Sequence, residues 1–234
     1  MGSVTDPGRA MRCFGSPCFF VPLVLGACAA EVAYEPEYLP PAIPQYLAET
    51  RVLILMAEED AQYVYEGTAD SRIGQTVTLR MPIGAIMREI TASVFRTHFN
   101  YGVVFSDEPP RDLRYLVAID PEIRNFAYRY EQRVEGGVVE MRETLGGLEA
   151  VPVTVITPTI EFELAVRAYD AMGQTILDQL YASGPVAGES YYVTSRPHER
   201  INATFHAALQ QMMLEVAGDL RPFLAAQPNL LYTE

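Results

Sequence analysis

The sequence predicts an α+β fold: an antiparallel-rich sheet with two helices packed on one face. Three observations predict it. Residues 159–169 alternate apolar and polar side chains with the period of a half-buried strand. Residues 83–95 and 201–220 instead repeat apolar side chains at helical spacing. Hydrophobic residues make up 49% of the 234-residue chain and charged residues 20%, which is the balance of a globular protein.

The first 27 residues have the pattern of an export signal. Arg9 and Arg12 form a basic region, residues 19–25 are mostly apolar, and small residues follow before Cys28. The apolar run is well short of the roughly 20 residues that span a bilayer, which disfavours a transmembrane anchor. Met11 is an alternative start, because the basic and apolar regions are complete from there.

Residues 25–28 (LGAC) resemble a bacterial lipobox, the motif at which a peptidase cuts before a lipidated cysteine. The resemblance implies a lipid on Cys28 and therefore a membrane-anchored lipoprotein. Ala29 and Ala30 follow in place of the Asp that often retains such proteins in the inner membrane. This implies the outer membrane, with the domain facing the periplasm. The alternative is an ordinary secretory signal that ends in a cysteine by chance.

Residues 28–48 are predicted to form a tether. Four prolines between residues 36 and 44 favour extended conformations and remove backbone donors. The alternative is that this segment packs along the domain surface, because its tyrosines could cover apolar area. The folded domain is expected from residue 49 to 225, followed by a tail at 226–234.

The first half of the domain is predicted to contain three strands and one helix. Residues 51–56 are an apolar run of strand length, and residues 74–79 form a short strand. A helix opened by Pro82 is stopped by Asn100, and residues 101–106 form the next strand. The buried positions of this helix are expected to be Ile83, Ile86, Met87, Ile90, Val94 and Phe95.

A long extended segment follows at residues 115–131. Its alternation changes phase after Pro121, so a bulge or bend is expected near residues 120–122. Residues 132–157 carry two Gly-Gly pairs around alternating apolar residues, and they are predicted to form an inserted hairpin.

The last elements are a hairpin and a helix. The strand at residues 159–169 is expected to turn at residues 170–173 and return at residues 174–182. The closing helix is predicted to be capped by Ser195 and ended by Pro222. Its buried stripe is expected to be Ile201, Phe205, Ala208, Leu209, Met212, Val216 and Leu220.

The net charge of the chain argues against nucleic-acid binding, and the positions of its cysteines argue against a disulfide in the mature domain. The net charge of −13 repels the phosphates of nucleic acids, so no nucleic-acid partner is expected. The three cysteines are Cys13, Cys18 and Cys28, all at or before the predicted cut. The mature domain is therefore expected to hold no disulfide, and its stability must come from packing.

No enzyme activity, cofactor or metal site is predicted. His198 and His206 are eight residues apart on the last helix, or about 12 Å, which is too far to share a metal ion. These two and His98 are expected to be solvated or capping residues. No G-x-S-x-G motif or phosphate loop occurs. The carboxylate pairs at 120–122 and 161–163 are expected on solvated strand faces.

An aromatic-rich segment and a tyrosine pair are the candidate interface residues. Tyrosine and arginine are favoured at the centres of interfaces. Such residues are also common in cross-strand packing, and this alternative stays open. The five candidates are Phe126, Tyr128, Tyr130, Tyr191 and Tyr192.

The order of predicted elements resembles that of small outer-membrane lipoproteins. These are the YajG-type family, the auxiliary lipoproteins of ABC-type transporters, and the LPS-assembly lipoprotein. The helix at 82–99 with residues 101–104 looks like their first helix and returning strand. Residues 161–180 look like their central hairpin, and residues 195–220 look like their closing helix.

The resemblance implies a non-enzymatic binding or assembly subunit of a cell-envelope transport or surface-structure system, with an envelope protein as partner. The alternative is a periplasmic lipoprotein that binds a lipid or small ligand between sheet and helices. A filled core with an exposed strand edge would favour assembly. A continuous apolar cavity would favour ligand binding.

Overall fold

The structure is a computed structural model of the chain. It describes residues 29–31, 48–110, 112–144, 147–192 and 197–226. The predicted signal with Cys28, most of the predicted tether, Ser195 and the last eight residues lie outside the described residues.

Ten strands and three helices are formed by the described residues. In chain order they are β1 (Ala29–Glu31), β2 (Val52–Leu55), α1 (Glu58–Ala61), β3 (Tyr65–Gly67), β4 (Thr78–Met81), α2 (Ile83–Arg96), β5 (Val103–Ser106), β6 (Val117–Thr144), β7 (Gly147–Asp170), β8 (Thr175–Ala182), β9 (Val186–Ala187), β10 (Tyr191–Tyr192) and α3 (Pro197–Ala225).

The main sheet is mixed. Its central order is β10-β7-β6-β2-β5, and β8 and β9 also pair with β7 along the same edge as β10. Strand β2 is parallel to both β5 and β6, whereas β7 is antiparallel to each of its partners. The expectation of an antiparallel-rich sheet is therefore correct for the pairs that β7 makes and wrong for the two parallel pairs that β2 makes. The parallel pair β2–β5 arises because the chain crosses over through α2 between these strands.

Helices α2 and α3 pack together over one face of this sheet. All six expected positions of α2 are buried, and so are six of the seven expected in α3, with Ala208 half-buried. On β7, Phe162 and Leu164 are buried while Glu161 and Arg167 on the other face are exposed. The predicted helix faces and the alternation of this strand are confirmed.

Strands β6 and β7 form one long hairpin. Their pairing runs from Val117 opposite Asp170 to Thr144 opposite Gly147. Residues 132–157, expected to be an inserted hairpin, are therefore the continuation of the two central strands. Gly136 and Gly137 lie between Val134, opposite Thr154, and Val139, opposite Pro152, where the pairing shifts register and then resumes. Gly147 is the first residue of β7, opposite Thr144.

A bulge in β6 lies at Asn125, not at residues 120–122 as expected. Arg124 is opposite Glu163 and Ala127 is opposite Glu161, so β6 contains one extra residue here. Asn125 has a φ of 51°, a left-handed conformation that asparagine tolerates better than most residues. Pro121 stays within the regular pairing, opposite Val166.

Several boundaries also differ from the expected ones. Strand β4 occupies Thr78–Met81, and α2 ends at Arg96. Helix α3 continues through Pro222 to Ala225. A proline in the last turn removes only one helical hydrogen bond, which explains why it does not end the helix there. The turn expected at 170–173 is confirmed, with the Asp170 carboxylate accepting hydrogen bonds from two backbone N–H groups.

A second, smaller sheet has the order β1-β4-β3. Strand β1 is parallel to β4, with Ala29 opposite Thr78 and Glu31 opposite Arg80. These three residues belong to the segment expected to be a tether, and here they pair with the domain. Ala48, at the end of the same segment, forms an isolated bridge with Phe99.

The buried stripe of α3 predicts that two leucines of this helix contribute unequally to the free energy of unfolding. Leu209 is fully buried, whereas Leu214 is 38% exposed. We expect Leu209→Ala to lower the free energy of unfolding by about 2–5 kcal/mol, through lost burial and a residual cavity. Leu214→Ala should cost less than about 1 kcal/mol. Urea denaturation of the two variants checks this, and equal losses would contradict the helix orientation.

Candidate functional site

A cluster of aromatic rings joins both sheets to α3. The Tyr65 ring on β3 lies 4.7 Å from the Phe126 ring on β6, measured between centroids. The Phe205 ring on α3 lies 5.4 Å from the Phe126 ring and 5.0 Å from the Phe162 ring. All three contacts are edge-on, a favoured arrangement for aromatic pairs.

The loop after β3 covers the edge of β6 beside this cluster. The Tyr128 hydroxyl donates to the Gly67 carbonyl oxygen at 3.2 Å. The backbone N–H of Tyr130 donates to the Ser71 hydroxyl at 2.9 Å, and that of Asp70 donates to the Tyr128 carbonyl at 2.8 Å. Side chains and turns thus satisfy the backbone of β6 where β2 no longer pairs with it.

The close approach of this loop requires a glycine at position 74. A Cβ on Gly74 would lie 2.8 Å from the Tyr130 ring, and the residue has a φ of +88°. Both observations disfavour any side chain there.

Most of the five candidate interface residues lie inside the domain. Tyr128, Tyr130 and Tyr191 are 2%, 4% and 5% exposed. Phe126 is half-buried against the core, and Tyr192 is exposed. In this structure three of the five contribute to core packing, so Tyr192 is the member of the set that a partner protein could reach directly.

Burial changes the titration of these tyrosines. Loss of solvent raises the pKa of Tyr128 and that of Tyr191 to about 12 each. It also raises the pKa of Tyr130, with a further contribution from the nearby Tyr191 hydroxyl. A tyrosine with its ordinary pKa of about 10 is already neutral at physiological pH, so burial keeps these three hydroxyls neutral to still higher pH.

Two buried polar atoms lack partners near the start of α3. Within the described part of the chain, neither the Tyr191 hydroxyl nor Asn202 Oδ1 has a hydrogen-bond partner. A buried polar group without a partner costs about 1–3 kcal/mol. His206 lies one turn further along α3 and is 3% exposed. It is therefore buried, whereas the sequence analysis expected a solvated or capping residue. His98 behaves as expected: its Nδ1 lies 2.9 Å from the Val94 carbonyl oxygen and caps α2.

The carboxylate pairs lie on the solvated face of the sheet. Asp120 accepts from Arg167 at 2.6 Å, and Glu122 pairs with Arg124 on its own strand. The hydrogen bond from Arg124 holds the pKa of Glu122 below its usual value. Exposed ion pairs of this kind contribute little to stability. Their arrangement fits the solvated face that the sequence predicts.

The outer part of the β6–β7 hairpin exposes large apolar side chains. Val134, Met141 and Leu148 are 61%, 57% and 70% exposed. Sequence reasoning identified the hairpin but not this surface. The sequence does contain a pattern that indicates this surface, because the even-numbered positions of β7 stay mostly apolar from Ala168 back to Leu148.

Within the described ranges, no group of three or more His, Cys, Asp or Glu residues is placed to hold a metal ion. None of the described helices is long and apolar enough to cross a membrane.

No protein-family model matches the chain, and no curated protein matches its sequence. Several solved structures show a distant likeness. A Xanthomonas campestris protein of the family DUF330 is 12% identical, with a TM-score of 0.38, and the match covers 85% of this chain and 97% of that one. A Caulobacter crescentus protein, provisionally described as a lipoprotein, is 12% identical, with a TM-score of 0.28 and coverages of 61% and 80%.

The third is a minor lipoprotein from Acinetobacter baumannii, 7% identical, with a TM-score of 0.29 and coverages of 75% and 94%. Two of these three proteins are described as lipoproteins. They do not distinguish among the three lipoprotein families that the sequence resembles. With TM-scores and identities this low, no function is transferred from them.

The unpartnered hydroxyl of Tyr191 predicts an unusual result for its removal. Tyr191→Phe should leave the free energy of unfolding unchanged within about 0.5 kcal/mol or raise it, because no hydrogen bond is lost. The control is Tyr181, also buried, whose hydroxyl donates to the Asp219 carboxylate at 2.7 Å. Tyr181→Phe should cost about 1–2 kcal/mol. A comparable loss for Tyr191→Phe in urea denaturation would mean that its hydroxyl is bonded in solution.

Proposed function

We propose that the chain is an outer-membrane lipoprotein, anchored by lipid on Cys28 and facing the periplasm. It serves as a non-enzymatic binding or assembly subunit of a cell-envelope transport or surface-structure system. The observation that carries the proposal is the lipobox-like sequence ending at Cys28, followed at once by Ala29–Glu31, which pair with β4. An anchor at Cys28 would hold the domain directly at the membrane surface.

The assembly role is supported by how the core is filled. Phe95, Phe99, Phe162 and Phe205 are fully buried. The Thr91 hydroxyl lies 3.8 Å from the Met213 sulfur, where α2 and α3 touch. Large side chains therefore fill the layer in which a ligand between sheet and helices would have to lie.

An exposed strand edge supports the same role. Strand β8 pairs with β7 on one side, and no described strand pairs with its other side. It is eight residues long, its middle residues are exposed, and Leu180 is 52% exposed. An extended segment of a partner protein could add to this edge by backbone hydrogen bonds.

A second candidate function is the binding of a small ligand inside the domain. The unpartnered Tyr191 hydroxyl and Asn202 Oδ1 favour it, because a ligand with polar groups would satisfy them. Native mass spectrometry of the purified protein tests it. A bound molecule that is retained in wild type and lost in Tyr191→Phe would support this candidate, and the apo mass alone would contradict it.

The anchor is tested by replacing the cysteine. Wild type should sediment with the outer membrane and incorporate labelled fatty acid. Cys28→Ser should lose the label, because no other residue at the cut could carry a thioether-linked lipid. Cys18→Ser is the matched control and should behave as wild type, since Cys18 lies within the signal. Unlabelled wild type in the soluble fraction would overturn the proposal.

The strand edge is tested by a photo-crosslinking amino acid at position 180, compared with one at position 214 on the outer side of α3. We expect a discrete adduct at position 180. Mass spectrometry should identify the crosslinked partner as an envelope protein and should place the crosslink in an extended segment of that partner. Position 214 should give no such adduct. Adducts of equal yield at both positions, or none at position 180, would contradict pairing at the β8 edge.

A further inference from the structure

We propose that the outer part of the β6–β7 hairpin, described at residues 134–144 and 147–152, makes a second contact with the membrane in addition to the lipid anchor. The contact is made by Val134, Met141 and Leu148, and the occupant of this surface is the lipid bilayer. The inference rests on the proposed lipid anchor at Cys28 and adds to it a site that orients the domain.

The three side chains share one face of the hairpin. Met141 is opposite Ala150 and Val134 is opposite Thr154, and directly opposed residues lie on the same side of an antiparallel pair. Leu148 lies two residues before Ala150, so it shares that side as well. Ala150 and Pro152 are also exposed. By the same register Glu143 is opposite Leu148, so the face is mainly apolar from Val134 to Ala150 and ends at the hairpin tip beside an acidic residue.

This surface continues the core-facing side of the sheet. The even-numbered residues of β7 are buried beneath the helices from Ala168 to Ile156, and the same side then becomes exposed from Pro152 outward. Helix α3 passes the base of the hairpin at Thr204, which approaches Gly188 and Pro158. The exposure of Leu148, Ala150 and Pro152 shows that the helix leaves the outer part of β7 uncovered. The apolar side of the hairpin therefore projects past the end of the helical layer.

The small sheet shows which end of the domain faces the anchor. Tyr65 contacts Phe126, Gly67 contacts Tyr128, and Ser71 contacts Tyr130, so β3 and its loop follow the direction of β6. Strand β4 is antiparallel to β3, and β1 is parallel to β4. Strand β1 thus runs opposite to β6, and its first residue, Ala29, is at the end of β1 that faces the hairpin.

Local contacts support the same direction. Ala29, the first described residue, is opposite Thr78, which directly follows Val77. The backbone N–H of Val77 donates to the Gly74 carbonyl oxygen at 3.1 Å, and Gly74 lies against the Tyr130 ring. Tyr130 is the last buried residue of β6 before the exposed hairpin. From Thr154 to Gly147 the hairpin then extends roughly 24 Å at about 3.4 Å per residue.

The charge of the chain indicates which lipids this contact fits. The full chain has a net charge of −13, so anionic headgroups repel it. The contact is therefore apolar and interfacial, and it should be stronger on zwitterionic than on anionic bilayers.

The experiment uses the lipidated protein in phosphatidylcholine vesicles. Cys13 and Cys18 are lost with the signal and Cys28 carries the lipid, so an introduced cysteine is the only free thiol. Met141→Cys and Leu148→Cys are labelled with an environment-sensitive fluorophore, and spin-labelled lipid is added as quencher. Met172→Cys is the control, since Met172 is 81% exposed in the turn at the opposite end of β7.

We expect a blue shift and lipid-dependent quenching at positions 141 and 148, and neither at position 172. Leu148→Glu should reduce the quenching of the label at position 141. Vesicles rich in phosphatidylglycerol should also reduce it. Circular dichroism of each variant checks that the fold is retained.

Two results would overturn the inference. One is the absence of lipid quenching at positions 141 and 148. A blue shift without quenching at these positions also counts against the inference, because it would mean that protein, not lipid, covers the surface. The other is equal quenching at position 172. Failure of the anchor itself is seen separately, because a chain without lipid does not incorporate labelled fatty acid or remain with the vesicles.

Discussion

The packing of this domain depends on one extra residue in β6. Before Asn125, the odd-numbered residues of β6 face the helices, as Ile119 does opposite Ala168. After it, the even-numbered residues face them, as Tyr128 does opposite Ile160. Because side chains alternate along a strand, a single inserted residue reverses which set is buried. Without it, Tyr128 would lie on the solvated face beside the ion pairs.

The reversal brings the aromatic side chains of β6 to the place where two sheets and α3 meet. Tyr128 and Phe126 then contact the residues of β3 and its loop, and these cover the edge of β6. The small sheet that includes β3 also pairs with β1, the first described residues after Cys28. The bulge therefore links the core of the domain to the chain segment that would carry the anchor.

The proposed functions divide the surface of the domain into separate regions. In the proposed arrangement, the membrane contacts the end of the domain that carries the exposed outer part of the β6–β7 hairpin. The edge of β8 lies alongside β7 at residues 163–169, toward the other end, where Met172 marks the turn. An assembly subunit needs this separation, because a partner that pairs with β8 must not compete with the bilayer for the same residues.

The sequence by itself determined the local structure: the helix faces of α2 and α3, the alternation of β7 and the turn after Asp170, because each depends on spacing within one segment. It also contains the lipobox-like residues 25–28, from which a lipid anchor at Cys28 is predicted. Only the tertiary structure decided that the 132–157 hairpin continues the central strands, that Tyr128, Tyr130 and Tyr191 are buried, and that β1 joins β4. These features depend on pairing between distant segments. A one-residue shift at Asn125 changes which side chains are buried, while leaving the composition of the strand the same.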